Sequence, residues 1–202
     1  NRLILAGWSE AQIIDIYCKI QQYLYPQMLT KLSNEGFASF WHHTIMNDLV
    51  DMKLIDAGGA LEFLHSHCSV LRQPEFDDRG YYGFNPYKLG FEIYKDIRRI
   101  CENPTEEDKK WSPGLIGKNW IEEVKFAAYN FKDESFVLQY LSPKVIRDLK
   151  LFTVENDANE KFYEVSNIHD DDGYNDIRKK LANYYNVMNT IPDLYIEGWD
   201  VR

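Results

Sequence analysis

The stretch Asn34-Glu35-Gly36-Phe37-Ala38-Ser39-Phe40-Trp41-His42-His43 sets one carboxylate, a glycine and two histidines inside an aromatic run. Phe37, Phe40, Trp41, Thr44, Ile45 and Leu49 recur at helical spacing, so the stretch predicts a long helix over 27–50 with a core-facing side. Burying Glu or His without a partner is costly. The segment therefore needs either an internal hydrogen-bond network or a metal ion. Ser39 lies four residues after Glu35, where the two side chains can meet. His42 lies seven residues on, about 10.5 Å along the axis, too far for Glu35 and His42 to share one ion easily. These two are expected to line one groove. His43 points about 100° away and reads as an ordinary core or surface histidine.

Around this helix the chain reads as helices first and strands last. Ser9 with Gln12 forms a capping-box pattern opening a helix over 9–25, which Pro26 ends or follows with another. Asp56 is placed to cap a third helix through Leu64, and residues 72–84 read as a loop. Asn85-Pro86 is a start signal for a helix to Ile100, and Thr105 with Asp108 for a short one. Asn119, Asp133 and Ser142-Pro143 open three more. Then Leu149–Val154 and Phe162–Ile168 become β-rich on either side of a polar turn, a hairpin signal. A helix over 172–186 and a strand over 192–201 follow. The expected class is α+β: a mainly helical body to about residue 148, then a small sheet with one helix. The expected domains are 1–148, helical, and 149–202, a small α+β subdomain.

With 45% hydrophobic residues and 15% aromatic, the 202-residue chain can bury a sizeable core. A net charge of −9 without a basic run argues against nucleic acid or an anionic membrane surface as partner. No apolar run is long enough for a membrane span. Cys18, Cys68 and Cys101 are odd in number and far apart, which suits a reducing, cytoplasmic setting. The absence of Met at position 1 suggests a piece of a longer protein.

Tyr25-Pro26-Gln27 followed by Asn34 to His42 is similar to the stage V sporulation protein R (SpoVR-like) family. So are Leu61-Glu62-Phe63-Leu64-His65-Ser66-His67, Asn85-Pro86-Tyr87 and Leu89-Gly90-Phe91. Pro104 to Asp108, Phe131 to Phe136 and Leu141 to Val145 continue the match in family order. The resemblance covers nearly the whole chain and places it in the middle-to-C-terminal part of the longer family members. It implies a bacterial cytoplasmic protein tied to spore cortex formation in spore formers and to stress responses elsewhere. A PrkA-like serine kinase system is the implied protein partner.

Two functions remain open. The first is a binding or regulatory module without catalysis of its own, since no complete catalytic set is present and Tyr81, Tyr82 and Phe84 could anchor a partner. The second is a metal-dependent hydrolase. Glu35-Gly36-Phe37-Ala38 looks like the helix that supplies the third zinc ligand in gluzincin metalloproteases, whose two histidines come from an HExxH helix. That helix is missing here, so zinc is expected only in the full-length protein, and no cofactor in this piece. Glu35 is the candidate ligand, with Ser39 behind it; a buried, hydrogen-bonded Glu is the structural alternative. His65 and His67 diverge on a helix and could share a metal only if the chain is extended. His169-Asp170-Asp171-Asp172-Gly173 lacks the ligand spacing of a calcium loop and reads as a helix cap.

Overall fold

The structure is a computed structural model that describes residues 7–74, 79, 83–151, 154–155, 164–165 and 170–186. Helix α1 spans Glu10–Met28, α2 Lys31–Asp51, α3 Ala57–Val70 and α4 Pro86–Glu102. Helices α5 (Glu106–Trp111), α6 (Trp120–Asn130), α7 (Asp133–Tyr140), α8 (Pro143–Asp148) and α9 (Asp171–Tyr185) complete the set. A short 3-10 turn, Pro113–Leu115, joins α5 to α6.

Local capping chemistry accounts for most of the boundaries. The Ser9–Gln12 box closes as expected, with the Gln12 N–H donating to the Ser9 hydroxyl at 3.3 Å. Asp56 accepts from the Gly59 N–H at 2.8 Å, and Asn85 accepts from the Tyr87 N–H at 3.0 Å. Thr105 and Asp108 cap each other, and Asp108 takes the Arg99 guanidinium on both oxygens at 2.7 and 2.8 Å. This pairing ties α4 to α5. Helix α1 does not stop at Pro26 but runs through it to Met28.

Helix α4 is the centre of the core. Leu89, Ile93, Ile97 and Ile100 are each no more than 1% exposed and pack with Leu32 and Phe40 of α2, Val124 and Ala127 of α6, and Phe136 and Val137 of α7. Tyr174, Ile177, Leu181 and Ala182 bring α9 into the same core, against α7. The closest approach is between α2 and α4, at Gly36 and Gly90. A Cβ on Gly36 would lie 2.4 Å from the Gly90 backbone, and one on Gly90 2.5 Å from the Leu32 carbonyl oxygen. Only glycine at both places lets the two backbones touch.

The amino end of α2 is closed from far along the chain. Thr30, at the cap position, makes no side-chain cap bond. Instead the Asp133 carboxylate accepts from the Leu32 and Ser33 N–H groups at 2.8 and 2.9 Å, while the Asp133 N–H donates to the Leu29 carbonyl at 2.8 Å. Asp133 is 1% exposed. Burial pushes its carboxyl up to about 6, against the backbone N–H groups of Ser33, Leu32 and Lys31 that pull it down.

The expected α+β class is corrected: the protein is mainly helical, and a small sheet is not supported. Pairing among the described residues comes down to two antiparallel partners, Val154 with Val165 and Glu155 with Glu164, too little to form a sheet with a buried face. The reason lies at the first expected strand, 149–154. Leu149 and Leu151 are spent on the end of α8, their N–H groups bonding to the Val145 and Ile146 carbonyls. Between them Lys150 adopts φ 51, a left-handed turn out of the helix that no strand continues through. The strand expected at 192–201 and the loop aromatics Tyr81 and Tyr82 lie outside the described residues.

Candidate functional site

Glu35, Ser39 and His43 form one stripe of α2, each four residues from the last. Tyr87 and Phe91 form a stripe of α4, and Phe63 and His67 one of α3. The glycine contact holds the first two stripes together. Glu35 adjoins Gly36, and Tyr87 lies three residues before Gly90, so the pair sits beside the crossing. Both side chains are half-buried. Interaction with the Glu35 side chain, then burial and the carboxylate's charge, raises the pKa of the Tyr87 phenol. Among the described residues no lysine or arginine pairs with Glu35. Ser39 is buried at 7% exposure on the same stripe.

Further along the groove three imidazoles meet. His67 is 6% exposed, with its ring centre 5.1 Å from that of His43 and 5.8 Å from that of His42. Phe91 stands edge-on to both His43 and His67, at 5.4 and 5.2 Å, and His42 is edge-on to Phe63 at 5.2 Å. His67 Nε2 is buried without a hydrogen-bond partner. Burial, then the neighbouring His43 and His42 and the Lys88 charge, lowers the His67 pKa to about 4. His43 is lowered too, by burial and then by Lys95 and Arg98, with Glu92 opposing. Both rings are therefore neutral at pH 7.

The placement of the candidates differs in detail from their spacing. His42 is exposed, and its neighbour His43 is the one that turns towards α4. His65 and His67 lie on the helix α3, not an extended segment, so His65 is exposed while His67 is buried. Among the described residues no three His, Cys, Asp or Glu side chains are grouped to hold a metal ion. Asp170 caps α9, accepting from the Gly173 N–H at 2.8 Å. Tyr87 was not a candidate from sequence, because nothing in Asn85-Pro86-Tyr87 beyond its helix-start signal links it to a carboxylate fifty residues earlier. A zinc ion would find one suitable ligand here: Glu35 is half-buried and, among the described residues, free of a competing cation. The remaining ligands would have to come from outside this chain.

A sequence model of the family described as SpoVR like protein matches residues 2–190. The chain is also 46% identical, over all its 202 residues, to the uncharacterized protein YcgB of Escherichia coli strain K12. It spans 39% of the length of that relative. No solved structure matches it. Among the described residues, no helix is long and apolar enough to cross a membrane. The motifs that run in order from Tyr25 to Val145 are thus those of the SpoVR-like family, to which this chain belongs.

Proposed function

We propose that this chain acts as a binding and regulatory module of a SpoVR-like protein, serving spore cortex formation in spore formers or a stress response in other bacteria. Its setting is the cytoplasm, and its partner a PrkA-like serine kinase system. The observation that supports this reading is α1, which buries none of its 19 residues yet carries Ile14, Tyr17, Ile20, Tyr23 and Met28, all at least 48% exposed. Apolar surface left open on this scale marks a contact face. The test is calorimetric binding of the purified kinase to the full-length protein and to its Tyr17→Ser/Ile20→Gln variant. At least tenfold weaker binding by the variant is expected. No binding by the unaltered protein, or equal binding by both, refutes the reading.

A second reading is a metal-dependent hydrolase with a gluzincin-like zinc site completed by residues outside this chain. The half-buried Glu35, unpaired with any cation among the described residues, supports it. A bound zinc would supply a Lewis acid and a water of lowered pKa. This chain's part is to hold one carboxylate in place. Elemental analysis of the full-length protein after dialysis should find near one zinc per chain, and none after Glu35→Gln.

A further inference from the structure

A cavity of about 400 Å³ opens between the end of α5, α6 and α7, within the size range of ligand pockets, about 300–1,000 Å³. Aromatic rings form much of its wall. Phe131, between α6 and α7, stands edge-on to Phe126 at 5.9 Å and to Tyr140 at 5.2 Å, and Trp111 at the end of α5 lines the cavity with them. Phe126 keeps 51% of its surface exposed, so this wall stands open to water. Two opposite charges line the same cavity, Lys118 and Glu123, paired at 2.9 Å. The pair uses one carboxylate oxygen; among the described residues the other has no partner. Lys118 is half exposed, with ammonium donors to spare. Tyr140 is only 4% exposed, yet its hydroxyl makes no hydrogen bond among the described residues and stays within reach of solvent. A buried phenol ordinarily finds a partner. Burial, then the Glu123 charge and Cys101, pushes this phenol up to about 12, so it keeps its proton.

We propose that this cavity binds a free aromatic amino acid: Glu123 and Tyr140 take its ammonium group, Lys118 its carboxylate, and Trp111, Phe126 and Phe131 its ring. The charges decide the class of ligand. One cation and one anion side by side give the cavity no net charge, so an amine alone or an acid alone would satisfy one member of the pair and compete with the other. A zwitterion matches both. The rings offer the edge-to-face contacts and apolar area that an aromatic side chain gains from and a methyl group cannot fill. The Tyr140 hydroxyl, which the fold does not use, finds in the ammonium group the partner it lacks. The inference needs neither the kinase nor the zinc of the readings above.

The experiment is calorimetric titration of the full-length protein, Tyr140→Phe and Glu123→Gln with L-phenylalanine, together with the ligand-free melting temperature of each. The unaltered protein is also titrated with 2-phenylethylamine, which lacks the carboxylate, 3-phenylpropionate, which lacks the ammonium group, and L-alanine, which lacks the ring. Saturable binding of L-phenylalanine is expected, roughly tenfold or more weaker for each of the three analogues and for each variant. Melting temperatures should not change, because Tyr140→Phe removes a hydroxyl that bonds to nothing in the fold and Glu123→Gln loses only a half-exposed ion pair. If Glu123→Gln nevertheless melts lower, Tyr140→Phe decides alone. No binding of L-phenylalanine by the unaltered protein overturns the proposal. So does equal binding of 2-phenylethylamine or 3-phenylpropionate, which would make the cavity a plain apolar pocket. Equal binding of L-phenylalanine by Tyr140→Phe overturns it as well, since the ligand then sits elsewhere.

Discussion

Helices α1 and α4 are of similar length, both well capped and both rich in aliphatic and aromatic residues, yet one buries no residue and the other more than half of its own. Among the 17 residues of α4 ten are buried; among the 19 of α1 none is. Ile13, Ile16, Tyr17, Ile20 and Leu24 follow helical spacing as well as Leu89, Ile93, Ile97 and Ile100 do. Periodicity therefore reports that a helix has an apolar face, not that the same chain covers it. What sets α4 apart is its glycine. Gly90 lets α2 come into backbone contact, and the larger side chains on either side then interlock.

The sharpest way to break the contrast is at that glycine. Gly36→Leu forces a side chain into a gap that cannot hold a Cβ, so the loss should reach roughly 3 kcal/mol or more. Urea denaturation of the chain measures it; a loss under about 1 kcal/mol would mean that the helices part easily and that the crossing fixes nothing.

A smaller effect, on the order of 2 kcal/mol, is expected from acid. The folded protein holds His67 at about 4, whereas the unfolded chain returns it to about 6.5. The unfolded chain then takes up the proton first, so the stabilisation from a neutral His67 is complete above pH 6.5 and is lost as the pH falls towards 4. Asp133, raised to about 6, works in the opposite sense, since its protonation favours the folded state as the pH drops. Comparison with His67→Phe cancels the Asp133 contribution. Relative to that variant the unaltered protein should weaken steadily between pH 6.5 and 4; a constant difference would show that the His67 ring is open to water.

The smallest effect belongs to α1. Ile20→Gln should change the stability of this chain by less than about 0.5 kcal/mol, because Ile20 is 49% exposed and, among the described residues, stands outside the hydrophobic core. A loss of 2 kcal/mol would erase the distinction between the two helices.

Helix starts were readable from sequence because caps act over two or three residues. Ser9, Asp56, Asn85, Thr105, Asn119, Ser142 and Asp170 all stand where their hydrogen bonds require. Contacts between distant residues were not readable. Asp133 looks like a first-turn acid of α7, which it is, but its bonds to Leu32 and Ser33 follow only from the packing of α7 under α2. The Gly36–Gly90 contact and the approach of His43 to His67 belong to the same class. The expected sheet failed for a local reason, as Leu149 and Leu151 have high apolar character that the end of α8 claimed first.

The Asp133 cap also bears on the order in which the chain can fold as it is made. Its bond to Leu32 closes a loop of 101 residues. Until α7 has been synthesised and docked, the first turn of α2 has only water for its free N–H groups, even once α4 has emerged to meet its inner face. Helix α2, with Glu35 and His43 on it, is thus among the earlier segments made and the later ones secured. Contacts of such sequence separation slow folding. On the ribosome, where residues emerge at roughly 5–20 per second, the groove stays unformed for several seconds after its first wall appears.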